Sequence, residues 1–281
     1  DDGGRRLLFR YAPTARRAVS VSLPLPQERR PGVGDVDPFG AVDGSFFSNL
    51  LPEARERERV AQALGVSEEN TFQLLRALGG DCAGALVLLP KGESPVAAGA
   101  ELVPLKDELL LSMRVDGALP VLVSEGLRLS LAGAQEKLPV VLEGERLFLP
   151  RGGAAPSTHL LKFPSRLFSG LVENELLMMR LAKAVGLVVA EVRPWGMPGG
   201  ERGLLVERFD RQAGKRLHQE DLCQATGRSE HLKYEEEGGP TLEEVVGVLR
   251  AASASPVVDL ERLFRWQAFN VLTGNNDGHG K

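Results

Sequence analysis

The chain has 281 residues, 43% hydrophobic and 26% charged, enough to bury one large core or two moderate ones and too apolar for disorder. Its net charge of -4 and pI near 5.7 exclude a chain that coats nucleic acid over its whole surface, while a local basic patch or a DNA-binding partner fits that balance. No apolar run approaches the roughly 20 residues that span a bilayer, and Asp1-Asp2-Gly3-Gly4 lacks the basic-then-apolar design of a signal peptide, so a cytoplasmic protein without membrane contact is expected.

Residues 7–11 and 19–23 read as short strands, the second by its alternation of Val19, Val21 and Leu23, and a Pro/Gly/Arg-rich loop follows over 24–40. Gly32-Val33-Gly34 inside that loop is too weak a pattern for a dinucleotide loop, because no strand leads in and no helix follows, and it reads as a surface loop. Pro52 opens a charged helix over 52–64 that Gly65 closes. Ser67 is the expected N-cap of a second helix carrying Phe72, Leu75 and Leu78 and ending at Gly79-Gly80. An apolar strand over 85–89 completes an α+β unit with no evident chemistry.

Gly, Pro and charge punctuate 91–125, after which the pattern becomes a hairpin. Its parts are a strand over 127–131, a small-residue bend at Ala132-Gly133-Ala134, a strand over 138–142, a Glu143-Gly144 turn and a strand over 146–149. A second domain is therefore expected to begin near residue 125, dividing the chain into 1–125 and 126–281. Strands over 158–163 and 204–209 follow, with a helix over 172–185 between them whose apolar positions are Leu176, Met179, Ala182 and Val185. Thr241 and Glu244 form a capping box for a helix over 242–251. An apolar-faced segment over 263–272 then delivers Asn275-Asn276-Asp277-Gly278-His279-Gly280-Lys281. Strands first and helices later predict two lobes with a cleft between them.

Cys82 and Cys223 have no CxxC partner and no nearby His at ligand spacing, so they read as reduced core thiols. His159, His218, His231 and His279 are scattered, which supports neither a zinc site nor a Cys/His nucleophile pair.

Four stretches carry candidate chemistry, each with a plainer alternative. Ser130-Leu131-Ala132-Gly133-Ala134-Gln135-Glu136-Lys137 sets small residues between two strands, where backbone amides can approach an anion such as a triphosphate. An ordinary hairpin bend has the same composition. Lys162 lies on a strand with Leu161 and Phe163 on the opposite face, the placement by which kinases hold phosphates, although a solvated strand lysine would look alike. Glu173 or Glu175 on the next helix is placed to orient it. Glu207-Arg208-Phe209-Asp210-Arg211 ends a strand, where backbone groups can meet an adenine edge and Phe209 can pack on the ring; salt-bridged strand-end charges are the alternative. Asp277, on a Gly-bracketed loop just past a helix, has the placement of a base that takes a proton from a substrate hydroxyl, and Asn-Asp-Gly is also good turn chemistry.

At these residues the chain resembles the HipA family of bacterial type II toxin serine/threonine kinases, whose core is similar to the phosphatidylinositol 3/4-kinase fold. The resemblance spans nearly the whole chain. It includes Phe46-Phe47-Ser48-Asn49-Leu50-Leu51-Pro52-Glu53, the 132–137 stretch, His159-Leu160-Leu161-Lys162, Val206-Glu207-Arg208-Phe209-Asp210-Arg211, His218-Gln219-Glu220-Asp221-Leu222-Cys223-Gln224 and Asp277-Gly278-His279-Gly280-Lys281. It implies an α+β, bilobal protein-kinase-like core behind an N-terminal α+β subdomain. Ala132, Gly133, Ala134, Gln135, Glu136 and Lys137 would cover the nucleotide, and Ser130 would be the self-phosphorylated serine that switches the enzyme off. Lys162 would contact ATP phosphates, Glu207, Arg208 and Phe209 would form the adenine hinge, and Asp277 would be the catalytic base. His279, Gly280 and Lys281 would line the nucleotide side of the catalytic loop.

The same resemblance implies ATP and Mg²⁺ as cofactors, a small DNA-binding antitoxin as partner with DNA reached only through it, and an aminoacyl-tRNA synthetase as substrate. In the family an Asn and a second Asp that holds Mg²⁺ follow the catalytic-loop Lys, so metal ligands are expected beyond Lys281 and none within the chain. A 281-residue piece is accordingly expected to transfer phosphate poorly or not at all. Two rivals are a kinase-like antitoxin partner or corepressor without catalysis, and a lipid or small-molecule kinase on the shared fold.

Overall fold

A computed structural model describes residues 7–26, 42–43, 45–94, 101–124, 127–129, 133, 135–151, 155–165 and 167–281. In chain order its elements are β1 (Leu8–Phe9), β2 (Val42–Asp43), α1 (Ser45–Ser48), α2 (Ala54–Leu64), α3 (Thr71–Leu78), β3 (Glu101–Pro104), α4 (Asp107–Asp116), α5 (Ala118–Ser124), β4 (Lys137–Glu143), β5 (Arg146–Arg151) and β6 (His159–Lys162). They continue with α6 (Leu171–Ala184), β7 (Val192–Gly196), β8 (Arg202–Glu207), β9 (Arg211–Gln212), β10 (Lys215–Arg216), α7 (Leu222–Thr226), α8 (Leu242–Ala252) and α9 (Pro256–Thr273). The chain forms two compact units, one of Asp1–Asn49 with Glu220–Lys281 and one of Leu50–Gln219. This spatial partition differs from the linear division at residue 125, because the N-terminal segment through Asn49 groups with the C-terminal segment from Glu220.

The Leu50–Gln219 unit is built on an antiparallel sheet of order β3-β5-β4-β6-β8-β7. Both edge strands carry a proline, Pro104 in β3 and Pro194 in β7, where a missing N–H costs no ladder bond. The central strands are the apolar ones: Leu138, Leu161 and Leu204 are fully buried. On one face Val172 and Leu176 of α6 pack on Leu160, Val192, Leu204 and Val206. Alternation along β6 puts Lys162 on the same face as Leu160 and sends Leu161 and Phe163 to the other, where both are buried. α2 and α4 pack against α5, burying Val60, Ala61, Met113, Leu119 and Leu122.

Several expected strands are absent among the described residues. Over 19–23 there is only a bridge between Ser20 and Leu23; the backbone turns back on itself and is held by the Tyr11 hydroxyl, which accepts from the Val19 amide at 2.7 Å and donates to the Leu23 carbonyl. Residues 85–89 form no strand: Ala85 lies in a turn, the Leu88 amide donates to the Gly79 carbonyl at 2.7 Å and the Leu88 carbonyl accepts from Arg128 at 2.8 Å. Of 127–131, Leu129 makes an isolated bridge to Asp81 and the Leu127 amide caps back to Leu122, so no strand forms over 127–129; Ser130 and Leu131 lie outside the described residues.

The helix expected after Ser67 begins later. Asn70 is its N-cap, its Oδ1 accepting from the Gln73 amide at 3.2 Å, while Ser67 shapes the preceding turn by accepting from the Glu69 amide. Both residue types cap well, and the one nearer the first helical turn wins. Gly65 and the Thr241–Glu244 capping box stand where expected.

Candidate active site

Candidate residues occur in both units. In the Leu50–Gln219 unit, Lys162 Nζ meets Glu175 Oε1 at 2.5 Å. Helical phase explains why Glu175 rather than Glu173 reaches it. Val172 and Leu176 define the sheet-facing stripe of α6, and a residue three on from Val172 shares that stripe while Glu173 is turned away and exposed. Across the ladder Lys162 stands opposite Lys137 in register, so two ammonium groups share one face of neighbouring strands. Like charges placed so oppose strand pairing, a cost that Glu175 offsets and an anionic ligand would reverse.

Gly133 is drawn close to this pair. Its carbonyl accepts from the Glu53 amide, its φ of +101° favours glycine, and a Cβ there would stand 2.8 Å from Lys137 Nζ and push that ammonium aside. Gln135 places a buried Nε2 with no hydrogen-bond partner in the same stretch. Glu136 is engaged elsewhere, because its Oε1 accepts from the Ala118 amide at 2.8 Å at the start of α5 and its other oxygen lies 4.0 Å from Arg114. Ser130, Ala132 and Ala134 lie outside the described residues.

At the exit of β8, side chains alternate between solvent and interior. Glu207 is exposed and Phe209 is 72% exposed, whereas Arg208 and Asp210 are buried. Arg208 makes a two-pronged contact with Asp210 at 2.9 and 2.7 Å and also donates to Ser157 and the Cys82 carbonyl. Arg211 spans Asp210 at 2.9 Å and Asp81 at 3.0 Å, and Arg216 adds a contact to Asp81 at 3.1 Å. The Arg208 side chain is thus committed to a structural ion cluster, the alternative the sequence left open. Burial pushes the Asp210 carboxyl up, but hydrogen bonding to Arg208, the charges of Arg208 and Arg211 and the Gly84 amide outweigh it, so the group stays below the usual carboxylate range. The buried Cys82 thiol beside Asp81 is pushed up to about 12 and is inert.

In the other unit, α9 ends at Gly274, and the Asn275 amide and side chain both bond back to Asn270. Asn275 Oδ1 then accepts from the Asp277 amide at 3.1 Å, which fixes the loop backbone while the Asp277 side chain stays 72% exposed. His279 Nδ1 accepts from the Lys281 amide, so its proton sits on Nε2, 3.7 Å from Asp277 Oδ1. The Gly280 amide donates to the Lys233 carbonyl at 2.9 Å and the Gly280 carbonyl accepts from the Cys223 amide at 3.0 Å; a Cβ on Gly280 would strike Pro240 at 2.7 Å. Lys281 Nζ lies 3.5 Å from Asn49 Oδ1.

Two parts of this half were not anticipated. The Ser48-Asn49 pair has a role: Ser48 bonds Glu230 and Asn49 donates to the Arg228 carbonyl, so the N-terminal segment braces the loop that supports 277–281. Tyr234 donates its hydroxyl to Asp277 Oδ1 at 2.7 Å, and no local pattern marks it, since it lies 43 positions away. Among the described residues no three His, Cys, Asp or Glu side chains are grouped to hold a metal ion, and no helix is long and apolar enough to cross a membrane.

Comparison with known proteins gives the class first. The model of the HipA N-terminal domain matches residues 1–89 and that of the HipA-like C-terminal domain matches 129–281. The chain is 47% identical over 251 residues to a protein of Sinorhizobium fredii that bears the name "Putative kinase Y4mE", covering 84% of this chain and 58% of the relative. It is 39% identical over 254 residues to the serine/threonine-protein kinase toxin HipA of Shewanella oneidensis, covering 84% and 57%. A solved complex of Shewanella oneidensis HipA, HipB and operator DNA contains a chain that superposes with a TM-score of 0.65 at 36% identity, over 84% of this chain and 59% of that one. The chain therefore belongs to the HipA family, and it spans a little under three fifths of the length of the relatives it matches.

Proposed function

We propose that this chain carries the nucleotide-handling and proton-accepting parts of a HipA-type serine/threonine protein kinase that transfers the γ-phosphate of ATP to a protein hydroxyl. The observation that carries the reading is the Lys162–Glu175 ion pair on a strand and its following helix, the arrangement that orients a phosphate-binding lysine in protein kinases. The residues fit a polyanion: Lys137 and Lys162 share a face, Gly133 leaves room beside them, and Gln135 offers an unspent donor.

In this reading the substrate hydroxyl oxygen attacks the γ-phosphorus in line, the bond to the β,γ-bridging oxygen breaks, and ADP leaves. Asp277 accepts the hydroxyl proton, a contribution of about 10²–10⁴-fold. Lys137, Lys162 and the amides around Gly133 balance charge spread over the phosphoryl oxygens. Backbone groups of Glu207 to Phe209 take the adenine edge with Phe209 against the ring, and His279, Gly280 and Lys281 line the nucleotide side of the loop. Mg²⁺, when bound, would neutralise charge on the phosphate oxygens.

The reading extends to a bilobal core like that of phosphatidylinositol 3/4-kinases, modules divided near residue 125, and a cytoplasmic toxin that phosphorylates an aminoacyl-tRNA synthetase to arrest translation. Its partner would be a small antitoxin through which it reaches DNA; the HipA–HipB–operator complex of Shewanella oneidensis supports a partner of that kind. Self-phosphorylation at Ser130 would end its activity.

Intact-mass measurement of the natural full-length protein after ATP and Mg²⁺ tests the reading. One added phosphate mapping to Ser130 is expected, and growth arrest on expression should vanish in Asp277→Asn. Arrest that persists unchanged in Asp277→Asn would mean a partner or corepressor role without catalysis.

A further inference from the structure

The carboxylate of Asp277 poses a physical problem. It is 72% exposed on a loop, and an exposed Asp ordinarily samples several rotamers, whereas a general base must present one oxygen at one point. Something has to select the rotamer. Tyr234 is the side chain that does so, through a hydroxyl 2.7 Å from Oδ1, the length of a charge-assisted bond to a carboxylate. Its ring also stands edge-on to the His279 imidazole, 5.2 Å between centroids at 85°, so one residue braces both Asp277 and the neighbour whose Nε2 faces it.

Tyr234 is itself held. Its carbonyl accepts from the Glu237 and Gly239 amides at 3.0 and 2.8 Å, and the preceding Lys233 carbonyl accepts from the Gly280 amide at 2.9 Å. The tyrosine loop and the 277–280 loop are therefore zipped together by backbone as well as by side chain. Among the described residues every hydrogen bond to the Asp277 carboxylate falls on Oδ1, which leaves Oδ2 as the oxygen that meets a proton.

Resting on the kinase reading above, we infer that Tyr234 is the positioning residue of the catalytic base: it pins Asp277 through Oδ1 and directs Oδ2 at the substrate hydroxyl. Charge around the pair is consistent. The Tyr234 hydroxyl is pushed above its ordinary range chiefly by its bond to the Asp277 carboxylate, with burial and the Asp277 and Glu237 charges adding and Lys233, whose ammonium lies 5.4 Å from the ring centre, opposing.

Two measurements decide it. Ring-¹³C tyrosine labelling of the full-length protein gives a set of resonances in which that of Tyr234 is assigned with Tyr234→Phe. The Tyr234 Cζ signal is expected to shift in Asp277→Asn, which removes the charged acceptor of the hydroxyl; a signal that stays in place would overturn the tether. Kinetically, Tyr234→Phe keeps the ring against His279 and removes the hydroxyl. It is expected to lower kcat about tenfold with KM for ATP and Tm unchanged, whereas an unchanged kcat, or a fall matched by loss of Tm, defeats the positioning role. Absence of phosphotransfer in the unsubstituted protein would defeat the kinase reading instead, and the resonance measurement would still decide the tether.

Discussion

The exit of β8 and the loop after α9 are both crowded with charge, yet they are built to opposite ends. At the β8 exit Asp81, Arg208 and Asp210 are buried to within a few per cent, and each carboxylate is held by two arginines or more. After α9 the backbone is tied down and the Asp277 carboxylate is left in solvent. Buried charge is tolerated only when paired, so the first cluster is committed to structure; an exposed carboxylate on a rigid backbone costs little stability and remains able to take a proton. Local sequence is charged in both places, and burial alone separates their roles.

The comparison is broken most severely by exchanging the costs. On the kinase reading, Asp277→Asn in the full-length protein should lower phosphotransfer by about 10²–10⁴-fold while shifting unfolding free energy by less than about 0.5 kcal/mol, as read by single-turnover kinetics and urea unfolding. Arg208→Ala should do the reverse, losing about 3–5 kcal/mol because it takes one positive charge and the two-pronged contact to Asp210 out of a buried cluster that then holds two carboxylates with Arg211 and Arg216 alone. A loss under about 1 kcal/mol would show that the cluster is not the anchor described.

Glu175→Gln lies between the two. The Lys162 pair is only partly buried, so the expected change is about fivefold in KM for ATP, or about 1 kcal/mol, with little effect on folding. Equal effects of Glu173→Gln would contradict the helical phase that singles out Glu175.

The smallest effect is a pH slope at His159. Burial holds its imidazole below the ordinary range, more than the Glu207 charge restores. A folded state that resists protonation loses stability as pH falls below the unfolded value of about 6.5 and on through the depressed folded one. Unfolding midpoints measured from about pH 8 to about pH 5 should fall on the acid side, and His159→Gln should flatten part of that slope.

Much of this was legible along the chain. Gly65, the Thr241–Glu244 box, the 138–142 and 146–149 strands and α6 follow from period and capping, which act over one helical turn or one strand pair. The strands expected over 19–23 and 85–89 failed because their backbone groups found side chains and distant carbonyls instead of a ladder. β3 and β7 went unread because each is an edge strand interrupted by proline, and α4 and α5 because Gly117 splits an apolar stretch into two short helices.

For the candidate site the division is sharper. By itself the sequence determined which residue types stand on which local element: a lysine on an apolar strand, small residues before it, an Asp on a glycine-bracketed loop past a helix, and enough motifs in order to indicate the family. Only the tertiary structure decided which partner each one meets. It chose Glu175 over Glu173, committed Arg208 to Asp81 and Asp210, assigned Glu136 to the start of α5, and brought Tyr234 to Asp277. The physical reason is range. Period and capping are written into neighbouring residues, whereas a hydrogen bond between positions 234 and 277 exists only after two distant backbone segments have been fixed side by side.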